Sequence, residues 1–190
     1  MKIDLAADYD EAALATKLNQ ALVGSEKVTL VHNAAVMTQD SVADISAQSL
    51  RGSLELNVVA ASVLNRLLLP LMPAGSSILY ISSTLGTKAV ADRHAYVICK
   101  HAVIGQMRAT CQDLIGCSIH TAAICPGFTE TEMLAEHLGA NPEVRDQIAS
   151  QVVMGRLVQP SEIAETLWFA AQHPVINGAV LHANLGQVER

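Results

Sequence analysis

Short apolar segments alternate with helical segments along this 190-residue chain, and the alternation constrains its fold more than any other feature. Four segments, residues 28–31, 77–82, 118–125 and 179–183, are mostly apolar, as is typical of strands buried on both faces of a parallel sheet. Segments of helical periodicity separate them. This order predicts βαβ units, so we expect one α/β domain over residues 1–190, with a parallel sheet flanked by helices on both faces.

Capping residues and prolines predict where the helices begin and end. Residues 1–5 read as the end of a strand, and Asp8, with Glu11 three residues later, predicts the N-cap of the first helix. An apolar stripe over residues 50–68 predicts a long helix that Pro70 ends. The remaining predicted helices cover residues 96–116, 129–137, 142–153 and 161–171, the last with Ser161 as its N-cap.

Composition excludes several classes of function. The net charge is −6 and only 3% of the residues are aromatic, so the chain offers neither a basic surface nor stacking side chains for nucleic acid. The longest apolar stretch, residues 58–72, contains Asn65, Arg66 and Pro70, so we expect no membrane span. The N-terminus lacks an apolar signal region, which predicts a cytoplasmic protein.

The four cysteines predict neither a metal site nor a disulfide framework. Cys99, Cys111, Cys117 and Cys125 contain no C-x-x-C pair and no zinc spacing. An even count in a chain of this length does not require disulfides, and we expect reduced thiols.

The most informative side chains are Ser83, Tyr96 and Lys100. Tyr96 and Lys100 are four residues apart, so on a helix they lie one turn apart on the same face. Ser83 follows a predicted strand at its C-terminal end, which is where ligands bind in open α/β sheets. A hydroxyl, a phenol and an ammonium at this position predict a proton-transfer site.

Electrostatics predicts the effect of Lys100 on Tyr96. An ammonium about 5 Å from the phenol oxygen, at an effective dielectric constant of about 20, favours the phenolate by about 3 kcal/mol. We therefore expect the pKa of Tyr96 to fall by roughly 2 units from about 10. Tyr-x-x-x-Lys alone arises by chance in about one chain in ten, so a purely structural role is the alternative that other motifs must oppose.

Other motifs occur in a recognisable order. They are Asp4-Leu5 at the end of the first predicted strand, the turn His32-Asn33-Ala34-Ala35, a mid-helix Asn57, Ser83 thirteen residues before Tyr96, the loop Pro126-Gly127-Phe128-Thr129-Glu130-Thr131, and Gly155-Arg156 followed by Pro160-Ser161-Glu162-Ile163-Ala164. Together they resemble the short-chain dehydrogenase/reductase family, whose domain is a Rossmann-like parallel sheet.

The resemblance implies roles for these residues. It implies hydride transfer between NAD or NADP and a carbonyl carbon of a small-molecule alcohol or ketone. Tyr96 would be the general acid/base, Lys100 its partner and a ligand of the nicotinamide ribose, Ser83 the group that orients the carbonyl, and Asn57 the holder of a water in the proton relay. Cofactor contacts would come from Asp4, Leu5, Asn33, Ala34, Ala35, Tyr96, Lys100, Pro126, Gly127, Thr129 and Thr131.

The chain also departs from the family pattern. No G-x-G occurs in it, and the family pattern begins at what corresponds to the end of the third strand, so the domain is N-terminally truncated relative to the family. The phosphate loop would bring backbone N–H groups to the pyrophosphate. Without its neighbours, the strand at residues 28–31 becomes an apolar edge. Two explanations stay open, a longer enzyme that begins upstream or a shortened protein that has lost dinucleotide binding.

Three functions therefore compete. The first is the oxidoreductase, which the resemblance implies to be a homodimer or homotetramer. The second is a non-catalytic oligomerisation or interaction module, in which the long helices over residues 50–68 and 103–114 pack between subunits. The third, a lyase or epimerase that uses Tyr96 and Lys100, also needs the missing loop and ranks below the others.

Overall fold

The computed structural model describes residues 3–7, 9–138 and 142–187. Four parallel strands form one sheet in the order β1-β2-β3-β4. The strands are β1 (Thr29–His32), β2 (Ser77–Ile81), β3 (His120–Pro126) and β4 (Val180–Ala183). All four correspond to predicted strands.

Helices connect the strands. The α-helices are α1 (Glu11–Leu22), α2 (Ala47–Leu54), α3 (Ala60–Leu68), α4 (His94–Asp113), α5 (Glu132–Leu138), α6 (Pro142–Ala149) and α7 (Pro160–Gln172). Shorter 3₁₀ turns are Leu69–Leu71, Thr84–Gly86 and Pro174–Ile176, and a π-helical segment, Glu55–Val59, joins α2 to α3.

The core lies on both faces of the sheet, as the alternation of side chains in β2 shows. Ile78 and Tyr80 belong to one buried cluster, which includes Met107 of α4. Leu79 points to the opposite face and belongs to a second cluster, which includes Ala170 of α7. Helices therefore cover both faces, and the predicted Rossmann-like α/β class is confirmed.

The long helix that was predicted over residues 50–68 contains a π turn. The N–H of Ala60 donates to the carbonyl of Glu55, five residues earlier, and Asn57 lies within the widened turn. Pro70 does not end the helix abruptly, because a 3₁₀ turn continues to Leu71. π turns inside α-helices are rare and are frequently found at functional sites.

The predicted strand at residues 1–5 is wrong where the structure describes it. Residues 3–5 pair with no strand, and the backbone N–H of Ala6 donates instead to the carboxylate of Asp4 at 2.9 Å. Met1 and Lys2 lie outside the described residues. The physical reason is that β1 pairs only with β2, so among the described strands none reaches residues 3–5.

Two predicted helix starts also need correction. Asp10 caps α1, since its carboxylate accepts hydrogen bonds from the N–H groups of Ala12 and Ala13, while Asp8 lies outside the described residues. Gln159, and not Ser161, caps α7. Gln159 forms a capping box with Glu162. Pro160 is then the first helical residue, a position at which the missing N–H of proline breaks no helical hydrogen bond.

The two predicted helices after residue 128 are shorter in the structure. Residues 129–131 precede α5, and α6 ends at Ala149. Within the described part of the chain, one helical stretch, Ala47–Leu71, is long and apolar enough to cross a membrane. By itself this is weak evidence for a span, because a core helix of a soluble protein meets the same criterion.

Candidate functional site

The C-terminal end of β2 lies tightly against α4. The Oγ of Ser82, just after β2, donates to the backbone carbonyl of Lys100 at 2.9 Å. Gly86 is in the following turn, and a Cβ built there would lie 2.9 Å from the same carbonyl oxygen. Only glycine fits this approach, so β2 and the following 3₁₀ turn fix the position of α4 at Lys100.

Lys100 is buried beside Tyr96. Its Nζ lies 5.4 Å from the centre of the Tyr96 ring and donates to the carbonyl of Ile81 at 2.9 Å. The residue is 3% exposed. Burial is the main cause that lowers the pKa of Lys100 to about 8, and the neighbouring Cys99 and Cys125 oppose that shift.

The predicted fall in the pKa of Tyr96 is wrong in this arrangement. Burial raises the pKa of the phenol to about 12, a hydrogen bond with Ser83 opposes the rise, and Cys99 adds to it. Lys100 is not among the causes of the shift. The simple Coulomb argument omitted desolvation of the phenol, which favours its neutral form. Ser83 is nevertheless near enough to the Tyr96 phenol to hydrogen-bond with it.

Asn57 lies in the same region with an unsatisfied oxygen. Its Nδ2 donates to the carbonyls of Ser53 and Val36, at 2.9 and 3.2 Å. Its Oδ1 is buried and has no hydrogen-bond partner among the described residues. Buried polar atoms without partners are rare and call for a ligand or a water.

A cavity brings together the first group of predicted cofactor residues. Leu5, Asn33 and Ala34 line it together with Asn57 and Lys100. Two residues of this group are placed differently. The exposed Asp4 accepts a hydrogen bond from its own turn, and Ala35 is not part of the lining.

The second group of predicted cofactor residues follows β3. The N–H of Gly127 donates to the carbonyl of Ala183, which ties the loop to the end of β4. Thr129 Oγ1 donates back to the carbonyl of Gly127 at 3.0 Å. Thr131 accepts a hydrogen bond from the N–H of Leu134, so it caps α5. Pro126 ends β3 itself. Asn33 and Ala34 thus follow β1 and the second group follows β3, both at the C-terminal edge of the sheet, whereas Leu5 follows no described strand. The roles of both groups stay predictions.

The sequence analysis missed Asp40, which holds the start of the helix that carries Tyr96. Its Oδ1 accepts from the N–H of Ala95 at 2.8 Å, and its Oδ2 accepts from Thr38 Oγ1 at 2.6 Å. Burial acts to raise the pKa of Asp40, but these two hydrogen bonds, together with the charges of His94 and Arg93, leave it lowered. No sequence signal identifies it, because an N-cap is expected next to its helix and Asp40 is far from residue 94 in the chain.

The described residues form neither a metal-binding cluster nor a disulfide. No group of three or more His, Cys, Asp or Glu side chains is placed there or elsewhere in the described ranges to hold a metal ion. The four cysteines are free.

Comparison with known proteins identifies the family. The profile described as enoyl-(acyl carrier protein) reductase matches residues 1–187. A solved short-chain dehydrogenase/reductase of Serratia marcescens superposes with a TM-score of 0.84 at 28% identity, over 98% of this chain and 75% of that chain. This chain belongs to the short-chain dehydrogenase/reductase family. The family is one of oxidoreductases, as the sequence motifs predicted.

Other short-chain dehydrogenase/reductase relatives show how much of the family domain is present. An uncharacterised oxidoreductase of Thermotoga maritima is 29% identical over 147 residues, which cover 75% of this chain and 59% of that protein. The angucycline C-6 ketoreductase LanV, solved with bound NADP, is 25% identical, with a TM-score of 0.85 over 98% of this chain and 74% of that one. The chain spans only 37% to 59% of the length of the first curated relatives.

Proposed function

We propose that this chain carries the proton-transfer site of an NAD(P)-dependent oxidoreductase that interconverts a carbonyl and an alcohol on a small molecule. The observation that carries the proposal is the contact of Ser83 with the Tyr96 phenol, beside the buried ammonium of Lys100. Ser83 would orient the carbonyl oxygen, and Tyr96 would exchange a proton with it. Asn57 would hold a water through its unpartnered Oδ1.

The protonation state of Tyr96 favours the reductive direction. With a pKa of about 12, the phenol keeps its proton at neutral pH and can donate it to a carbonyl oxygen. Lys100, with a pKa of about 8, is mostly protonated at pH 7 and favours negative charge on that oxygen. At neutral pH both side chains therefore carry their protons, and Tyr96 is ready to act as a general acid.

The residues present fit one part of a nicotinamide dinucleotide. The cofactor supplies the hydride. Lys100, whose side chain is buried, lines a cavity together with Asn33 and Ala34, and these residues would meet the nicotinamide ribose. The loop Gly127–Thr131 offers backbone and hydroxyl groups at the adjacent strand end. A glycine-rich loop for the pyrophosphate does not occur within the 190 residues.

Calorimetry and activity measurements test the proposal. NADH and NADPH are titrated into the 190-residue chain, and carbonyl reduction is followed by loss of nicotinamide absorbance over a panel of small ketones. We expect Tyr96→Phe to lower kcat by about 10²- to 10⁴-fold with little change in cofactor affinity, because only the transferred proton is lost. Tyr9→Phe is the matched control, at a half-buried tyrosine before α1 that is not part of the cavity lining. Absence of binding heat with both cofactors would contradict the proposal for this chain.

A second candidate function is a homo-oligomerisation module. The supporting observation is the helical stretch Ala47–Leu71, which has only 22% of its most apolar window buried. Val59 and Leu69 are 40% and 37% exposed on it. Gln106 of α4 donates to Ser62 at 2.6 Å, so α4 lies alongside, and Ile98 of α4 is 37% exposed. This candidate needs no cofactor, and the state of association distinguishes it from the first.

A further inference from the structure

A chain of hydrogen bonds crosses the apolar interior between the sheet and two helices. His32 Nε2 at the end of β1 lies 2.7 Å from Asn65 Oδ1 of α3. Asn65 Nδ2 donates to the Tyr80 hydroxyl of β2 at 2.6 Å, and that hydroxyl lies 2.8 Å from Thr110 Oγ1 of α4. We call these four residues the polar brace. It joins four elements that are distant in sequence.

The polar brace lies where polar groups need partners. Tyr80 is fully buried, within the cluster that contains Ile78 and Met107. Its ring also contacts the ring of His32, with 4.8 Å between centroids. A buried hydroxyl or amide left without its partner costs about 1–3 kcal/mol, so each member of the brace holds the next in place.

The brace ends beside a segment that has few other supports. Residues 33–39 follow β1 without regular secondary structure, and β1 is an edge strand that pairs with β2 alone among the described strands. At the start of this segment, His32 links β1 to Asn65. Further along, the carbonyl of Val36 accepts from Asn57 Nδ2 at 3.2 Å. Asn57 and Asn65 belong to the same helical stretch, so both contacts tie the segment to one helix.

We propose that the polar brace positions the turn Asn33-Ala34-Ala35 against the cavity and thereby sets cofactor affinity. The proposal rests on the proposed function, in which this turn contacts the cofactor. His32 and Tyr80 line the cavity themselves, next to Asn33 and Ala34. We assign them the positioning of the turn and no step in the reaction. Burial lowers the pKa of His32, which agrees with a neutral ring that donates to Asn65.

Two substitutions interrupt the brace at different points. Tyr80→Phe removes the hydroxyl at its centre and leaves Asn65 Nδ2 without that acceptor. His32→Leu removes the donor next to the turn, whereas His32→Gln keeps an Nε2 donor at similar reach and is expected to restore the contact. His101→Leu is the matched control, at an exposed histidine whose ring lies against the carbonyl of Val97 in its own helix.

Hydrogen exchange tests the positioning directly in the full chain, with no cofactor needed. We expect amides 33–36 to exchange about tenfold faster or more in Tyr80→Phe and His32→Leu, relative to the amides of β3, which report global opening. His32→Gln should stay close to wild type. If amide exchange is accelerated equally in the turn and in β3, the polar brace has a purely structural role. If exchange in the turn is unchanged, the brace has no role in positioning it. Either result would overturn the proposal.

Cofactor affinity tests the second half of the proposal. In the same two variants, the KM for NAD(P)H should rise about tenfold while kcat at saturation stays within about twofold, since the reacting groups are untouched. Selective exchange with an unchanged KM would overturn the link to the cofactor. If the wild type binds no cofactor, the proposed function is wrong, but the exchange data still show whether the polar brace positions the turn.

Discussion

Burial controls the chemistry of the two central side chains more than their mutual attraction does. Tyr96 and Lys100 lie one helical turn apart, yet desolvation is the largest cause of the pKa shift of each. It raises the pKa of the phenol to about 12 and lowers that of the ammonium to about 8. Both shifts favour the neutral form, as expected for groups removed from water.

The shift of Lys100 makes the stability of the fold depend on pH. Between about pH 8 and the unfolded value of 10.5, the unfolded chain keeps the proton on Lys100 and the folded chain loses it. The free energy of unfolding therefore rises with pH in this window. Relative to Lys100→Met, we expect the wild type to gain about 1.5 kcal/mol from pH 8 to 9.5, measured by urea denaturation.

Other titrations in this window leave the comparison intact. Tyr96 has the opposite sign, because its raised pKa removes stability only above about pH 10. Burial raises the pKa of Cys99 and of Cys125, and Lys100 opposes both rises, so both proteins are compared with these two cysteines replaced by alanine. Lys17→Met, at an exposed lysine, should show no such difference from the wild type. If the difference in free energy of unfolding between the wild type and Lys100→Met does not change with pH, the ammonium is not desolvated as the fold implies.

At the scale of elements, the loop after β1 determines where α4 begins. Asp40 supplies the N-terminal carboxylate of a helix that its own N-cap residue, Arg93, does not cap with a side chain. The N–H of His94 also donates to the backbone carbonyl of Asp40. Since Tyr96 lies in the first turn of this helix, a change at Asp40 reaches the phenol through the backbone.

Asp40 substitutions test this coupling. We expect Asp40→Ala to lower the free energy of unfolding by about 2 kcal/mol, because the buried N–H of Ala95 loses its acceptor and the helix loses a negative charge at its N-terminus. Asp40→Asn keeps an oxygen and should cost less. Asp44→Ala, at an exposed carboxylate, is the control. Urea denaturation gives the energies, and equal effects of the Asp40 and Asp44 changes would contradict the coupling.

The sequence predicts those elements whose signals are local. Four strands were predicted because each apolar run is short and bounded, and Tyr96 and Lys100 because four residues make one helical turn. The π turn at Asn57 was missed because the apolar stripe continues across it with helical spacing. The N-cap of α7 was misplaced by two residues, although Pro160 marks the first helical position and Gln159 is therefore the cap.

Signals that depend on distant residues were out of reach. Asp40 caps a helix that begins 54 residues later, and the polar brace joins residues up to 78 positions apart. The pKa of Tyr96 also could not follow from its spacing to Lys100, because the spacing gives the attraction and omits the burial. Local patterns thus predict the elements and the contacts within one element, and the packed fold determines the contacts between distant residues and the pKa values.

At the scale of the whole molecule, two surfaces expose apolar side chains: the β1 edge of the sheet and one helical surface. The sheet has an edge at β1, where Val31 is 37% exposed and β2 is the only neighbouring strand within the described chain. An apolar helical surface lies along Ala47–Leu71 and α4. Exposed apolar strands and helical faces are sites of association, so the two surfaces favour assembly with further chain or with another copy.

The apolar helical surface yields a prediction about association. If copies pair through it, the wild type sediments as a dimer or tetramer. Leu69→Glu should then shift it to monomer, because a buried charge at such an interface has no partner. The side chain is 37% exposed within one chain, so the fold itself should tolerate the change. Val175→Glu, at an 88% exposed valine in the 3₁₀ turn before β4, is the control and should leave the mass unchanged.

Sedimentation velocity at several protein concentrations measures the state of association. A wild type that is monomeric throughout would exclude the oligomerisation module, and an oligomer that resists Leu69→Glu would move the interface to another surface, with the β1 edge as the next to examine.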